Sequence, residues 1–202
     1  MTDTLQPLRI ALFGGSFDPP HVAHRDIALY LLQNRIADLV WYVPVKHHPF
    51  GKTVHSDTVR VEMLTLMLEQ MKREHPELAG QLRIETHELE QNQVSYTLET
   101  LQSLRQKYPQ HHFRWVIGTD NLAKFDQWNG YPQILQEFGV IVYPREGSLA
   151  EPLREGMEFL ANAPKVTVSS TEVRALAASG KTLEGRLTPE VAGYIQAHDL
   201  YH

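Results

Sequence analysis

The chain is expected to adopt an α/β fold, a Rossmann-like doubly wound parallel sheet of about five strands with helices on both faces and a small C-terminal helical part. Three observations lead there. Short apolar runs recur along the 202 residues, most of them closed by Gly or Pro. Stretches with apolar residues at helical spacing separate them, which requires parallel pairing through right-handed crossovers. The first run ends in Gly14-Gly15 and passes straight into a helix-start sequence, the order in which such sheets hold phosphates.

Leu8 to Phe13 is the first strand, and Asp18-Pro19-Pro20 follows its glycine turn, with Asp18 suited to cap a helix and Pro19 to its first position. The glycines let the backbone approach a ligand, and the helix N-terminus adds unpaired N–H groups and partial positive charge. His21 and His24 fall three apart on one face of the first turns, pointing back toward the glycines. Two imidazoles beside an anion hole suit chemistry on phosphate. Ile27, Ala28, Leu31 and Leu32 then suit packing on a sheet.

Asp38 to Val43 is a second buried strand, stopped by Pro44. Val45 to Asp57 is polar and aperiodic, a loop on the sheet edge where open α/β folds bind ligands. Val59, Met63, Met67 and Met71, with Leu64 and Leu68, repeat at helical spacing and read as core. Leu82 to His87 is a third strand, and Asn92 to Ser95 lead into a helix with Leu98, Leu101 and Leu104 on one side. Phe113 to Ile117 makes a fourth strand ending at Gly118, and Gly139 to Tyr143 a fifth closed by Pro144. Arg145 to Pro164 reads as surface helix or loop, and Val166 to Val168 as a short strand. Ser169 and Glu172 form a capping-box pattern, and Thr188-Pro189 opens a final helix through His198.

A chain of this size suits one domain, 1–202, its helical part spanning about 169–202. The apolar share of 42% and charged share of 21% are those of a soluble globular protein, with no run long enough to span a membrane. The opening MTDTLQPLR has no signal-peptide pattern and the chain has no cysteine, so a cytoplasmic location is expected, without disulfides or thiolate metal sites. A net charge of -5 without a basic cluster argues against nucleic acid as a partner. The eleven histidines show no metal-ligand spacing, so no protein metal site is expected.

Two further motifs carry chemistry. Val168 to Arg174, VSSTEVR, puts the hydroxyls of Ser169, Ser170 and Thr171 at a helix N-terminus with Arg174 one turn along, a grip for phosphates. Gly118, Thr119 and Asp120 end the fourth strand, expected across the sheet from the glycine turn, where a carboxylate can accept from ribose hydroxyls and Trp128 can stack on a heterocycle. The glycine turn matches neither G-x-G-x-x-G nor G-x-x-x-x-G-K-[ST], so dinucleotide dehydrogenases and P-loop NTPases lack their fingerprint.

GGSFDPPHVAH resembles the G-[ST]-F-D-x-x-H-x-x-H signature of the nucleotidyltransferase superfamily. VSSTEVR is similar to its I-S-[SA]-T-x-x-R element, GTDNLAKFDQW to G-x-D-x-L-x-x-F-x-x-W, and Ser95-Tyr96-Thr97 to S-Y-T. Together they resemble the nicotinate-nucleotide adenylyltransferase family over roughly Arg9 to Tyr201. The resemblance implies adenylyl transfer from ATP to nicotinate mononucleotide, with release of pyrophosphate and with Mg²⁺ travelling on ATP. It implies catalytic roles for His21, His24, Arg174 and a loop lysine, Lys52 ahead of Lys46. ATP would meet Gly14, Gly15, Ser16, Phe17, His24, Gly118, Asp120, Ser169, Ser170, Thr171 and Arg174, and the pyridine nucleotide Lys46, Ser95, Tyr96, Thr97 and Trp128. The loop after strand two departs from the family's P-P-H-[KR] string, reading VKHHPFGK, which leaves nicotinamide mononucleotide or another phosphate acceptor as alternatives. A non-catalytic nucleotide-binding regulator on the same fold is the alternative of another class.

Overall fold

The computed structural model describes residues 6–46, 54–91, 94 and 96–201. Among these, six parallel strands form one sheet: β1 (Arg9–Gly15), β2 (Leu39–Pro44), β3 (Leu82–Ile84), β4 (His112–Gly118), β5 (Val140–Tyr143) and β6 (Met157–Phe159). Their spatial order is β3-β2-β1-β4-β5-β6. The chain first builds outward from β1 through β2 to β3, then returns to lay β4 on the other flank of β1. The order therefore reverses between β1 and β4, and the crevice at their carboxyl ends is where a ligand is accommodated.

Strand residues alternate between two cores. Ala11 and Phe13 of β1 face one, with Ile27 and Leu31 of α1 (Val22–Gln33), Met63, Met67 and Met71 of α2 (Asp57–Glu74), Val173 of α5 (Ser170–Ala178) and Ile195 of α6 (Pro189–Ala197). Ile10 and Leu12 face the other, with Leu101 and Leu104 of α3 (Thr97–Lys107) and Ile134 of α4 (Tyr131–Glu137). Both faces are thus covered, which is why β1 and β2 read as continuous apolar runs. The methionine stripe is core as expected, with Met63, Met67 and Met71 fully buried and Val59 half-buried.

The sheet has six strands where about five were expected. Met157–Phe159 pairs in parallel with β5 inside the stretch that read as surface helix or loop. Val166 to Val168 is no strand: Val166 makes an isolated bridge to Arg145, because β6 already occupies the free edge of β5. β3 stops at Ile84. Gly118 lies beside the glycine turn, since β4 pairs directly with β1. Among the described residues no helix is long and apolar enough to cross a membrane.

Candidate active site

The glycine turn leaves the sheet at the β1–β4 crevice. A Cβ placed on Gly14 would lie 2.1 Å from Cζ2 of Trp115, so this position is glycine because the β4 indole covers its backbone. Phe17 follows with φ of 51°, in the left-handed region, and buries its ring against Phe13, His24 and Tyr42. Burying the ring contributes about 1.5–3 kcal/mol. That offsets a left-handed non-glycine residue, which costs on the order of 1–3 kcal/mol. The Phe17 ring is therefore part of the core and is not presented to a ligand.

The first helix begins later than its sequence suggests. Asp18 does not cap α1; the residue is 2% exposed with its carboxylate engaged elsewhere, and His21 is the N-cap of α1. Nδ1 of His24 accepts from the main-chain N–H of His21 at 3.0 Å, and the two rings stack with centroids 3.7 Å apart. An acceptor at Nδ1 puts the proton of neutral His24 on Nε2. Burial, then the Arg145 charge, pushes His21 down to about 3. His24 lies well below its ordinary value through burial, then His21 and Arg145. At neutral pH both rings are uncharged. Without a ligand they are neutral hydrogen-bonding groups, and among the described residues Nδ1 of His21 is a buried atom with no hydrogen-bond partner.

The tail motif folds onto this turn. Ser169 caps α5 by accepting from the N–H of Glu172 at 3.1 Å. Ser170 Oγ donates to the carbonyl of Pro19 at 2.9 Å. Arg174 donates through Nη1 to the carbonyl of Asp18 at 2.7 Å and through Nη2 to Thr171 Oγ1 at 3.3 Å. The segments near residues 20 and 170 meet, which brings the start of α5 and Arg174 onto the turn that leads into the stacked histidines.

Across the crevice, a Cβ on Gly118 would lie 2.4 Å from Asp120 Oδ1 and 2.7 Å from Arg145 Cδ, so both side chains fold over this glycine. Asp120 pairs with Arg145 at 3.2 Å. Trp128 ends the 3-10 segment Thr119–Gln127 and packs on Phe125, with ring centroids 5.1 Å apart. Gly130 abuts Leu98 of α3, the helix whose N-cap is Tyr96 and whose first residue is Thr97. Lys46 follows β2, whose next residue Val45 donates to the carbonyl of Gly15. Ser95 and Lys52 lie outside the described residues.

A cytidylyltransferase-like family matches residues 12–176. The chain belongs to that family. A protein of Salinibacter ruber named "probable nicotinate-nucleotide adenylyltransferase" is 34% identical over 197 residues, 96% of this chain and 98% of that protein. One of the same name from Flavobacterium johnsoniae is 32% identical over 96% of this chain and 99% of its own length. The Plasmodium falciparum nicotinic acid mononucleotide adenylyltransferase complexed with NaAD superposes with a TM-score of 0.79, covering 96% of this chain and 97% of that one; at 19% identity it shows the fold. The family expected from the sequence motifs is the family found.

This member of the cytidylyltransferase-like family uses several residues that no motif announced. Arg145 reaches Asp120, the carbonyl of Val168 at 3.3 Å and, by its charge, both histidines. Arg60 of α2 is fully buried, donating to the carbonyls of Ser16 at 2.7 Å and His55 at 3.1 Å and to Asp57 Oδ1 at 2.6 Å. Tyr42 donates to the carbonyl of His24 at 2.9 Å. Arg60 had one available signal, a charged residue on the inward face of an otherwise apolar helix stripe.

Proposed function

We propose that the chain joins the AMP part of ATP to nicotinate mononucleotide, giving nicotinate adenine dinucleotide and pyrophosphate, a step of NAD biosynthesis. The observation that carries this is the closure of the tail motif over the glycine turn, where Arg174 and Ser170 bond the main chain of Asp18 and Pro19 beside the stacked histidines. Relatives of the same length named for this reaction support the acceptor.

In this reaction an oxygen of the acceptor's phosphate attacks the α-phosphorus of ATP. The bond from that phosphorus to the α,β-bridging oxygen breaks, and pyrophosphate leaves with the electron pair. The attacking phosphate has a second pKa of about 6 and is largely dianionic at neutral pH, so no base is needed. The chain's contribution is alignment and charge stabilisation. His24 Nε2 and the helix amides donate to the α-phosphate, while Arg174 and Arg145 supply positive charge. Gly15 and Ser16 present main chain to the triphosphate, Thr171 and Ser170 hydroxyls line its far end, and Asp120 accepts from ribose. Trp128, Tyr96, Thr97, Ser95 and Lys46 form the pyridine nucleotide side, with Lys52 as the loop cation.

Mg²⁺ belongs to this reading as an ion carried by the phosphates of ATP, where it would offset their charge. The local donors fit that arrangement, because the Asp120 carboxylate is shared with Arg145, the Asp18 carboxylate is held by His55 and Tyr201, and the imidazoles are poor partners for a hard cation. A single-domain chain of 202 residues working on small molecules in the cytoplasm completes the proposal.

Pyrophosphate release from ATP with each of nicotinate mononucleotide, nicotinamide mononucleotide and phosphopantetheine tests it. Fastest release with the nicotinate form is expected. No release with any acceptor would leave a nucleotide-binding regulator, and a preference for another acceptor would reassign the pocket around Trp128.

A further inference from the structure

We propose that Tyr201 and His55 are positioning residues for the triphosphate site, acting through the carboxylate of Asp18. Oδ1 of Asp18 accepts from the Tyr201 hydroxyl at 2.6 Å and from His55 Nδ1 at 2.9 Å, and Oδ2 accepts from the main-chain N–H of His55 at 3.2 Å. Three places far apart in sequence are tied at one buried group: the turn after β1, the approach to α2, and the segment beyond α6.

The ties continue into the site. Asp18's own carbonyl accepts from Arg174, Pro19's from Ser170, and Ser16's from Arg60, which also holds the carbonyl of His55. Nearly the whole path from Ser16 to Pro19 is thus fixed by side chains from elsewhere, and His21 follows at the start of α1. An ionised carboxylate that loses a donor while buried costs about 1–3 kcal/mol or more, so it shifts to find another partner. Such a shift moves the Asp18 carbonyl, and with it Arg174 and His21.

Tyr201 is suited to this role. It adopts a φ of 70°, uncommon for a tyrosine, and sets its ring edge-on against His55 with centroids 4.5 Å apart. Burial, then the Asp18 hydrogen bond, raises its phenol well above the ordinary tyrosine range, so it remains a proton donor throughout the physiological range. The Arg174 and Arg60 charges also face it.

Tyr201→Phe removes one oxygen and keeps the ring on His55, so it is the primary variant. It is measured with His55→Ala, the double variant, and His55→Gln, which retains a side-chain N–H. The activity readout rests on the adenylyl-transfer reading, so binding of an α,β-methylene ATP analogue is followed by calorimetry alongside it. Each single variant is expected to weaken analogue binding and to raise the KM for ATP about tenfold, the effect of one hydrogen bond to a charged group. The KM for nicotinate mononucleotide should stay within about twofold, the double variant should fall well short of the product of the two singles, and His55→Gln should recover part of the loss.

Analogue affinity within twofold of the unsubstituted chain in Tyr201→Phe overturns the proposal. So does a loss that falls equally on both substrates and follows the change in Tm. If His55→Ala does not fold, Tyr201→Phe and His55→Gln decide. If the unsubstituted chain releases no pyrophosphate, adenylyl transfer fails, while analogue binding still decides the roles of Tyr201 and His55.

Discussion

Arg174 Nη1 donates to the main-chain carbonyl of Asp18 at 2.7 Å, across 156 residues of sequence. A guanidinium held by a carbonyl keeps its full charge, because a carbonyl is a neutral acceptor, and its remaining N–H groups stay available to an anion. An ion pair with a carboxylate would cancel the charge locally. The same contact fixes the start of α5 against the turn after β1, which sets the spacing between the two elements proposed to bind phosphate.

Replacing His24 by Ala removes the Nε2–H donor beside the proposed α-phosphate position. Turnover is expected to fall about 10²–10³-fold with far-UV circular dichroism unchanged. Turnover equal to the unsubstituted chain would remove His24 from the mechanism.

Arg145→Met tests a cation outside the recognised motifs. The kcat/KM for ATP is expected to drop about tenfold or more, as for loss of a charge-assisted contact. Because the Arg145 charge lowers both imidazoles, His21 and His24 should titrate higher in this variant, which histidine NMR titration reads directly.

Stability should depend on pH through the same pair. In the folded chain His21 binds its proton at about 3, while an unfolded histidine does so near 6.5. Between these values the unfolded state holds more protons, so stability is complete above about 6.5 and is lost as the pH falls. His21 alone should cost about 2 kcal/mol between pH 6.5 and pH 5, with His24 acting in the same direction. Urea midpoints at several pH values should show this slope, and His21→Gln should flatten it.

Gly14→Ala probes the packing of β4 on β1. The new methyl meets the Trp115 indole, and a loss of about 1–3 kcal/mol is expected from urea unfolding. Trp115→Leu in the same chain should recover part of that loss, because it vacates the space.

The long strands were legible because β1, β2, β4 and β5 are buried on both faces and so carry apolar runs, broken in β4 only by Arg114. β6 was not: Met157-Glu158-Phe159 is three residues at the sheet edge, with a glutamate between two apolar side chains. Val166 to Val168 has the alternation of a strand, yet β6 already holds the edge of β5, and no local pattern conveys which segment reaches an edge first. Asp18-Pro19 carries the composition of a helix start, but the aspartate is consumed by His55 and Tyr201 and the helix waits for His21. The glycine turn, the histidine pair, Asp120, Trp128 and the tail motif stood out because each is a compact string. Arg145 and Tyr201 did not, because their partners lie 25 and 183 positions away and neither has a periodic signal.

The loop that carries Ser16 to Pro19 precedes in the chain every side chain that grips its carbonyls and carboxylate, which belong to residues 55, 60, 170, 174 and 201. During translation this turn therefore waits for its native neighbours until Tyr201 has been made. A truncated product stopping before residue 170 should retain much of the sheet and lack a nucleotide-competent crevice, so stalled chains would not be rescued by cellular ATP.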